Sequence, residues 1–286
     1  MRIEQTELRS QDGTRLYAET RWPDLPPKAD VAIVHGYGDH IGRYAAFSDH
    51  LTSIGWVAHG FDYRGHGRSD GRRGYCTQFS EFHDDLSAFL EAVRSKAAGR
   101  STFLFAHSHG GLVTTTYAEQ HGLPGIAGVV LSAPWLDLGT PPPRPKLFAA
   151  KIMSKVLPTL PFPTGIGVDQ LSRDTGWQEA TRMDPLYGRN APPGWFFRAR
   201  AAQGQAMAEA ARFGVPLVVH HGTADTIASF EQAQRFVAAA GSTDKAFVAH
   251  EGYLHELLQD RGGDAVRDQV VAWMSARATD TPNPSA

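Results

Sequence analysis

The sequence predicts an α/β protein: a mostly parallel eight-stranded sheet flanked by helices, with an inserted helical cap. Three observations predict it. Short apolar runs alternate with longer amphipathic segments, the pattern of strands joined by crossover helices. One stretch, residues 138–214, breaks that alternation with clustered prolines. The chain has 286 residues, 42% of them hydrophobic and 20% charged, enough for one large core in a single domain.

Each element follows from its own local pattern. The apolar runs predict strands over 14–20, 31–35, 56–61, 102–106, 128–132, 216–221 and 245–250. Asp12-Gly13 turns the amino-terminal segment into an antiparallel edge hairpin, which brings the sheet to eight strands. Amphipathic segments predict helices over 44–54, 80–98, 111–121, 229–240 and 263–276. The region 138–214 carries Pro141-Pro142-Pro143, Pro158, Pro161, Pro163 and Pro192-Pro193 between short apolar pieces such as Leu147-Phe148-Ala149-Ala150. A structureless loop of that length does not suit a compact domain, so it reads as a cap of short helices overhanging the strand ends. The core then comprises 1–137 and 215–278, and the proline-rich tail 279–286 is expected to be disordered.

Composition excludes several classes. A formal charge of −2 offers no general attraction to nucleic acid or to an anionic surface. Cys76 is the only cysteine, so no intrachain disulfide forms. Met1-Arg2-Ile3-Glu4-Gln5 lacks the apolar core of a signal peptide, and no apolar run reaches the roughly 18 residues of a membrane span. A soluble cytoplasmic protein is the expectation. His83-Asp84-Asp85 has ligand-type side chains but reads as a solvated helix face, and no matching pair at metal-ligand spacing accompanies it. The glycines near Gly36 and Gly65 lack the lysine of a phosphate loop and the spacing of a dinucleotide fingerprint. No cofactor and no metal are expected.

The chemistry concentrates at Ala106-His107-Ser108-His109-Gly110, between a predicted strand and a predicted helix. A serine at a sharp strand-to-helix turn projects its hydroxyl into a cleft, and crowding there demands small residues two positions before and after it. Ala106 and Gly110 meet that demand. A serine hydroxyl is a poor nucleophile near neutral pH and needs a base, and the base needs an orienting acid. Asp225 leaves the strand 216–221, and His255 follows the last strand on a loop after Gly252. Serine, acid, histidine is the chain order of α/β-hydrolases. Asp137, after the strand 128–132, is the competing acid. Among thirteen histidines most are structural or solvated, including His50, His83, His121 and the strand residue His250. His107 and His109 line the turn, since neighbours at a tight turn point away from the serine hydroxyl.

Acyl transfer also needs donors for the developing oxyanion. Gly36 and Gly38 in His35-Gly36-Tyr37-Gly38-Asp39-His40 let backbone N–H groups face the cleft. The donors expected are the backbone N–H of Tyr37 and that of His109, the residue after the nucleophile.

These motifs, together with Asp62-Tyr63-Arg64-Gly65-His66-Gly67-Arg68-Ser69, resemble the monoacylglycerol lipase and lysophospholipase branch of the α/β-hydrolases, with its serine aminopeptidase-type domain. The resemblance runs from about Thr14 to Trp273 and extends to cap residues Leu171-Ser172-Arg173-Asp174 and Asp184-Pro185-Leu186. It implies an α/β-hydrolase fold and a serine carboxylic-ester hydrolase that cleaves single-chain lipid esters through an acyl-enzyme on Ser108, Asp225 and His255. The Arg-Gly-His-Gly-x-Ser segment shapes a loop beside the cleft in that branch, so His66 is not assigned to catalysis. Four departures stand out: Ala106 for the usual glycine, His109 for methionine, Asp39 for glutamate, and Tyr37 at the oxyanion position. They predict a bulkier, more polar lining around the nucleophile.

The partner expected is a small-molecule lipid ester and not nucleic acid, with cap leucines available for peripheral contact with a membrane. Rival readings on the same scaffold are a general carboxylesterase, an acyltransferase, a peptide or lactone hydrolase, and a non-catalytic small-molecule receptor.

Overall fold

The computed structural model describes residues 1–279. Apart from Thr279, whose N–H donates to Ser101 Oγ at 3.0 Å, the tail expected to be disordered lies outside the described residues. The strands are β1 (Arg2–Arg9), β2 (Arg15–Trp22), β3 (Ala29–Val34), β4 (Trp56–Phe61), β5 (Ser101–His107), β6 (Ile126–Ser132), β7 (Phe162–Pro163), β8 (Asn190–Ala191), β9 (Leu217–Gly222) and β10 (Lys245–His250). The helices are α1 (Ala45–Ser53), α2 (Glu81–Ala97), α3 (His109–His121), α4 (Arg144–Val156), α5 (Thr175–Met183), α6 (Pro193–Glu209), α7 (Phe230–Ala239) and α8 (Gly263–Ser275).

Eight strands form one sheet in the order β1-β2-β4-β3-β5-β6-β9-β10. All neighbours from β4 to β10 pair in parallel, and β2 runs antiparallel to both β1 and β4. The edge hairpin turns where Asp12-Gly13 predicts it. Gly13 takes φ +84°, and Asp12 Oδ1 accepts from Thr14 N at 3.0 Å. The central strands read as continuous apolar runs because both faces are covered. Ala32 and Val34 of β3 face the core shared with α2, α3, α6 and α7, whereas Val31 and Ile33 face the core shared with α1 and α8. This is the α/β-hydrolase architecture.

Two expectations need correction. His83 and Asp85 are not on a solvated face: both are buried. Asp85 accepts from Arg64 Nη2 at 2.7 Å and from Arg64 Nε at 3.0 Å, and His83 Nε2 bonds Thr116 Oγ1 at 2.8 Å. Helical spacing explains this, because Phe82, Asp85 and Phe89 share the inner stripe of α2. Among the described residues no group of His, Cys, Asp and Glu is arranged to hold a metal ion.

Residues 138–214 contain α4, the two-residue ribbon of β7 with β8, α5 and α6. The elements differ in how deeply they engage the core. α6 buries Ala199, Ala202 and Ala206 in the main core, while α4 buries no residue. Among the described residues no helix is long and apolar enough to cross a membrane.

Candidate active site

Ser108 occupies the turn between β5 and α3 with φ +50° and ψ −116°. A non-glycine residue there carries strain of about 1–3 kcal/mol, held only because the surroundings over-determine it. Ser108 N donates to Ser132 O at 3.0 Å, and Ser108 O accepts from Leu112 N at 3.1 Å and Trp135 N at 3.0 Å. The requirement for a small residue two positions on is steric. A Cβ on Gly110 would lie 2.5 Å from His35 O and 2.6 Å from Val34 O, both backbone atoms.

The structure brings Ser108, His255 and Asp225 together from three loops. His255 Nε2 lies 2.8 Å from Ser108 Oγ, and His255 Nδ1 lies 2.7 Å from Asp225 Oδ2. Asp225 Oδ1 accepts from Ile227 N at 2.8 Å and Ala228 N at 3.1 Å, which fixes the carboxylate plane. Burial alone would raise the Asp225 pKa, but the charge and hydrogen bond of His255 and the backbone donor hold it below its ordinary value. The histidine loop crosses β9 closely: a Cβ on Gly222 would sit 2.2 Å from Tyr253 O. Asp137, the competing acid, is elsewhere. Its carboxylate pairs with Arg200 and accepts from Leu138 N at 2.8 Å.

Tyr37 and His109 border the same cavity as Ser108. Among the described residues neither backbone N–H has a hydrogen-bond partner. The side chains are directed away. Tyr37 stacks on Trp195 with centroids 3.6 Å apart, and its hydroxyl reaches Gly74 O at 2.9 Å. The His109 imidazole is fully buried against Tyr37, Tyr63, Phe79, Phe82 and Trp195, and neither ring nitrogen has a partner among the described residues. Burial holds it far below its ordinary pKa, and so neutral. The polar lining expected from His109 is therefore absent, because the ring is turned into an aromatic cage rather than into the cavity.

A buried charge cluster that the sequence reading did not find lies beside His255. His107, whose ring is 4.8 Å from that of His255, pairs through Nε2 with Glu256 Oε1 at 3.3 Å. Burial opposes charge on both groups, but each raises the charged form of the other. Glu256 is held down to about 2, with help from His255 and Arg43, and His107 is raised. Asp39 pairs with Arg43 Nε at 2.7 Å in the same cluster. The only hint in the sequence is that Glu256 adjoins His255.

The two cap motifs clamp two catalytic loops. Asp260, buried behind the histidine loop, accepts from Leu254 N at 3.1 Å and from Arg173 N at 2.7 Å, and Glu256 N donates to Leu171 O at 2.8 Å. Asp184 bonds His40 Nε2 at 2.8 Å, and Gly188 N donates to Gly38 O at 2.6 Å. Arg43 lies over the rings of Trp177 and Tyr187 at 4.6 and 4.8 Å. Residues 171–174 thus hold the loop of His255, and 184–188 hold the loop of Tyr37.

A cavity of about 610 Å³ opens over Ser108 and His255. Trp135, Leu138, Leu147, Met153, Ile166 and Trp195 make its walls largely apolar, and Asp39, Tyr187 and Glu256 supply polar groups near the serine. Residues at this end suit an alcohol, and the remainder suits an alkyl chain.

A family profile described as serine aminopeptidase, S33, matches residues 25–262. A monoacylglycerol lipase of Mycolicibacterium smegmatis is 28% identical over 264 residues, covering 92% of this chain and 93% of that one. A phospholipase of Bacillus subtilis is 28% identical over 240 residues, covering 84% of this chain and 92% of that one. The crystal structure of a monoacylglycerol lipase of Paleococcus ferrophilus superposes with a TM-score of 0.82 at 29% identity, covering 92% of this chain and 99% of that one. The profile match spans most of the chain and includes Ser108, Asp225 and His255, so the chain belongs to the serine aminopeptidase, S33, family.

Proposed function

We propose that this protein is a serine carboxylic-ester hydrolase that cleaves monoacylglycerols and related single-chain lipid esters. The observation that carries the reading is the relay from Ser108 Oγ through His255 to Asp225, at 2.8 and 2.7 Å, in the floor of an apolar cavity. His255 takes the hydroxyl proton as Ser108 attacks the ester carbonyl, and Asp225 holds the imidazole and stabilises its charged form. The N–H groups of Tyr37 and His109 receive the oxyanion; one such donor contributes about 3–4 kcal/mol of transition-state stabilisation. His255 then protonates the departing alcohol, and water repeats the sequence to release the fatty acid. The monoacylglycerol lipases and the phospholipase among the relatives support this substrate class.

The cap, 138–214, receives the acyl chain and meets the surface that supplies it. Leu147, Ala150 and Met153 on one side of α4 line the cavity. Phe148, Ile152 and Val156, one turn apart on the other side, are exposed at 67%, 48% and 66%, next to exposed Leu157, Leu160 and Phe162. α4 carries Arg144, Lys146, Lys151 and Lys155 and no acidic residue. An exposed apolar stripe flanked by cations fits peripheral contact with a lipid surface. We read the enzyme as cytoplasmic, which accords with its single cysteine: Cys76 is a free thiol whose pKa burial pushes up to about 12.

The test is turnover of 1-monoacylglycerols of graded chain length beside matched p-nitrophenyl esters, with wild type and Ser108→Ala. Monoacylglycerol turnover that rises with chain length and disappears in the variant supports the reading. Activity confined to short activated esters moves the natural substrate elsewhere, and activity that survives in Ser108→Ala removes the mechanism.

A further inference from the structure

A second cavity, of about 400 Å³, lies across Tyr37 from the first. Tyr37, Tyr187 and Gly188 line both, so the wall between them is the oxyanion loop and the cap residues docked on it. Their character differs. The second cavity is bounded by Gly65, His66, Arg73 and Gly74 on the core side, and by Pro185–Asn190 of the cap with Pro161. It has two arginines and no carboxylate in its lining.

Neither arginine is neutralised. Among the described residues, Arg73 and Arg189 form no ion pair. Arg73 donates one Nη1 bond to Gly67 O at 2.8 Å, and Arg189 uses only Nη2, toward Thr181 O at 3.0 Å and Arg182 O at 2.6 Å. The remaining guanidinium donors are unused. The nearest acid on the docked cap segment, Asp184, is engaged by His40 Nε2 at 2.8 Å and Leu186 N at 2.9 Å. Deeper in, His66 donates from Nδ1 to Arg64 O at 3.0 Å, which leaves Nε2 as a lone-pair acceptor. That nitrogen is buried in the cavity wall and unpartnered among the described residues. A buried acceptor without a partner costs free energy unless a ligand or water supplies one.

We propose that this cavity receives a phosphorylated glycerol group, so that lysophospholipids with a small anionic headgroup are substrates. The inference rests on the ester-hydrolase reading above. The acyl chain occupies the apolar cavity, the ester carbonyl sits at Ser108, and the glycerol passes Tyr187 and Gly188. A glycerol hydroxyl donates to His66 Nε2, and the phosphate meets Arg73 and Arg189, whose planar forks match its oxygens. The bond broken is the acyl C–O bond. Water gives its hydroxyl to the acid and a proton to the alcohol, and the phosphate ester stays intact.

The experiment measures kcat/KM for a 1-acyl glycerol 3-phosphate and for the monoacylglycerol of the same chain, in wild type, Arg73→Gln, Arg73→Gln/Arg189→Gln and Arg189→Lys. The readout is the ratio of the two values, which cancels any loss of folded enzyme. The expected result is a ratio lowered about 10-fold or more in the double variant, less in Arg73→Gln, and largely retained in Arg189→Lys, with the ratio falling as salt rises. Glycerol 3-phosphate should also inhibit wild type better than glycerol or inorganic phosphate. A ratio unchanged by the substitutions overturns the proposal while leaving the monoacylglycerol reading intact. Equal inhibition by inorganic phosphate, with that unchanged ratio, reduces the cavity to a plain anion site and likewise overturns it. Loss of both substrates in wild type sinks this inference and the parent reading together.

Discussion

The floor of the active site and helix α4 of the cap face each other across the same cavity and are built on opposite terms. Ser108, Asp225 and His255 are buried and tied through backbone donors, and the loops that carry them close against glycines with no room for a Cβ. α4 buries nothing and turns a run of large apolar side chains outward. The contrast divides the work: the floor fixes reacting atoms to a few tenths of an ångström, and the helix supplies apolar surface to a chain entering from one side and to lipid on the other. Catalysis should therefore be sensitive to single atoms in the floor, and α4 should tolerate large changes without loss of folding.

The largest effect belongs to the floor. Asp225→Asn leaves the fold intact but frees the imidazole tautomer, and kcat should fall by about 10⁴-fold. Asp137→Asn, at the competing acid, should change kcat by less than about 3-fold, because Asp137 contacts Arg200 and not His255. Steady-state kinetics on one ester substrate decide between them.

Next comes the buried charge that supports the core beside the cleft. Arg64 binds Asp85, Asp12, Glu81 and Ser10, and the Asp85 side chain is fully buried. Arg64→Gln leaves that carboxylate without its counter-charge, which should lower stability by about 3–5 kcal/mol in urea unfolding. No substitution on the outer face of α4 should approach that figure.

A smaller effect is tied to pH. Burial, reinforced by Glu209, raises the Glu119 carboxyl to about 8, and neither oxygen has a partner among the described residues. Between the ordinary carboxylate pKa and about 8 the folded state binds the proton that the unfolded state has released, so stability falls as pH rises through this window. Glu119→Gln should raise Tm by about 2–4 °C at pH 9, and the gain should vanish toward pH 4. A constant difference across pH would mean that the charge is not the cause.

The smallest effect on folding is expected in the cap. Phe148→Ser with Ile152→Ser should change stability by less than about 0.5 kcal/mol. It should leave dissolved short esters turned over as before and lower turnover of monoacylglycerol presented in vesicles. Equal loss on both substrates would place α4 with the floor rather than apart from it.

The same contrast governs what the sequence made legible. Strands 56–61 and 245–250 were read to the residue, and the others within about two, because their apolar runs are bounded by turn residues. Edge strand β1 carried a weaker signal, since Arg2–Arg9 alternates exposed and half-buried residues and has no apolar run. The three residues of the relay were legible because each sits at a fixed place after a strand. The buried ions were not. Asp85 with Arg64, and His107 with Glu256, are partners far apart in sequence, and a charged residue looks solvated until its partner is found. The direction of the His109 ring was illegible for a related reason, since the five aromatic rings around it come from separate segments.

The central claim is that Ser108 is the acylated nucleophile. Labelling the wild-type protein with a fluorophosphonate and mapping the adduct by mass spectrometry tests it most directly. The account predicts one adduct per chain, on the peptide containing Ser108, absent in Ser108→Ala and formed far more slowly in Asp225→Asn. An adduct on another residue, or labelling that persists in Ser108→Ala, would contradict it.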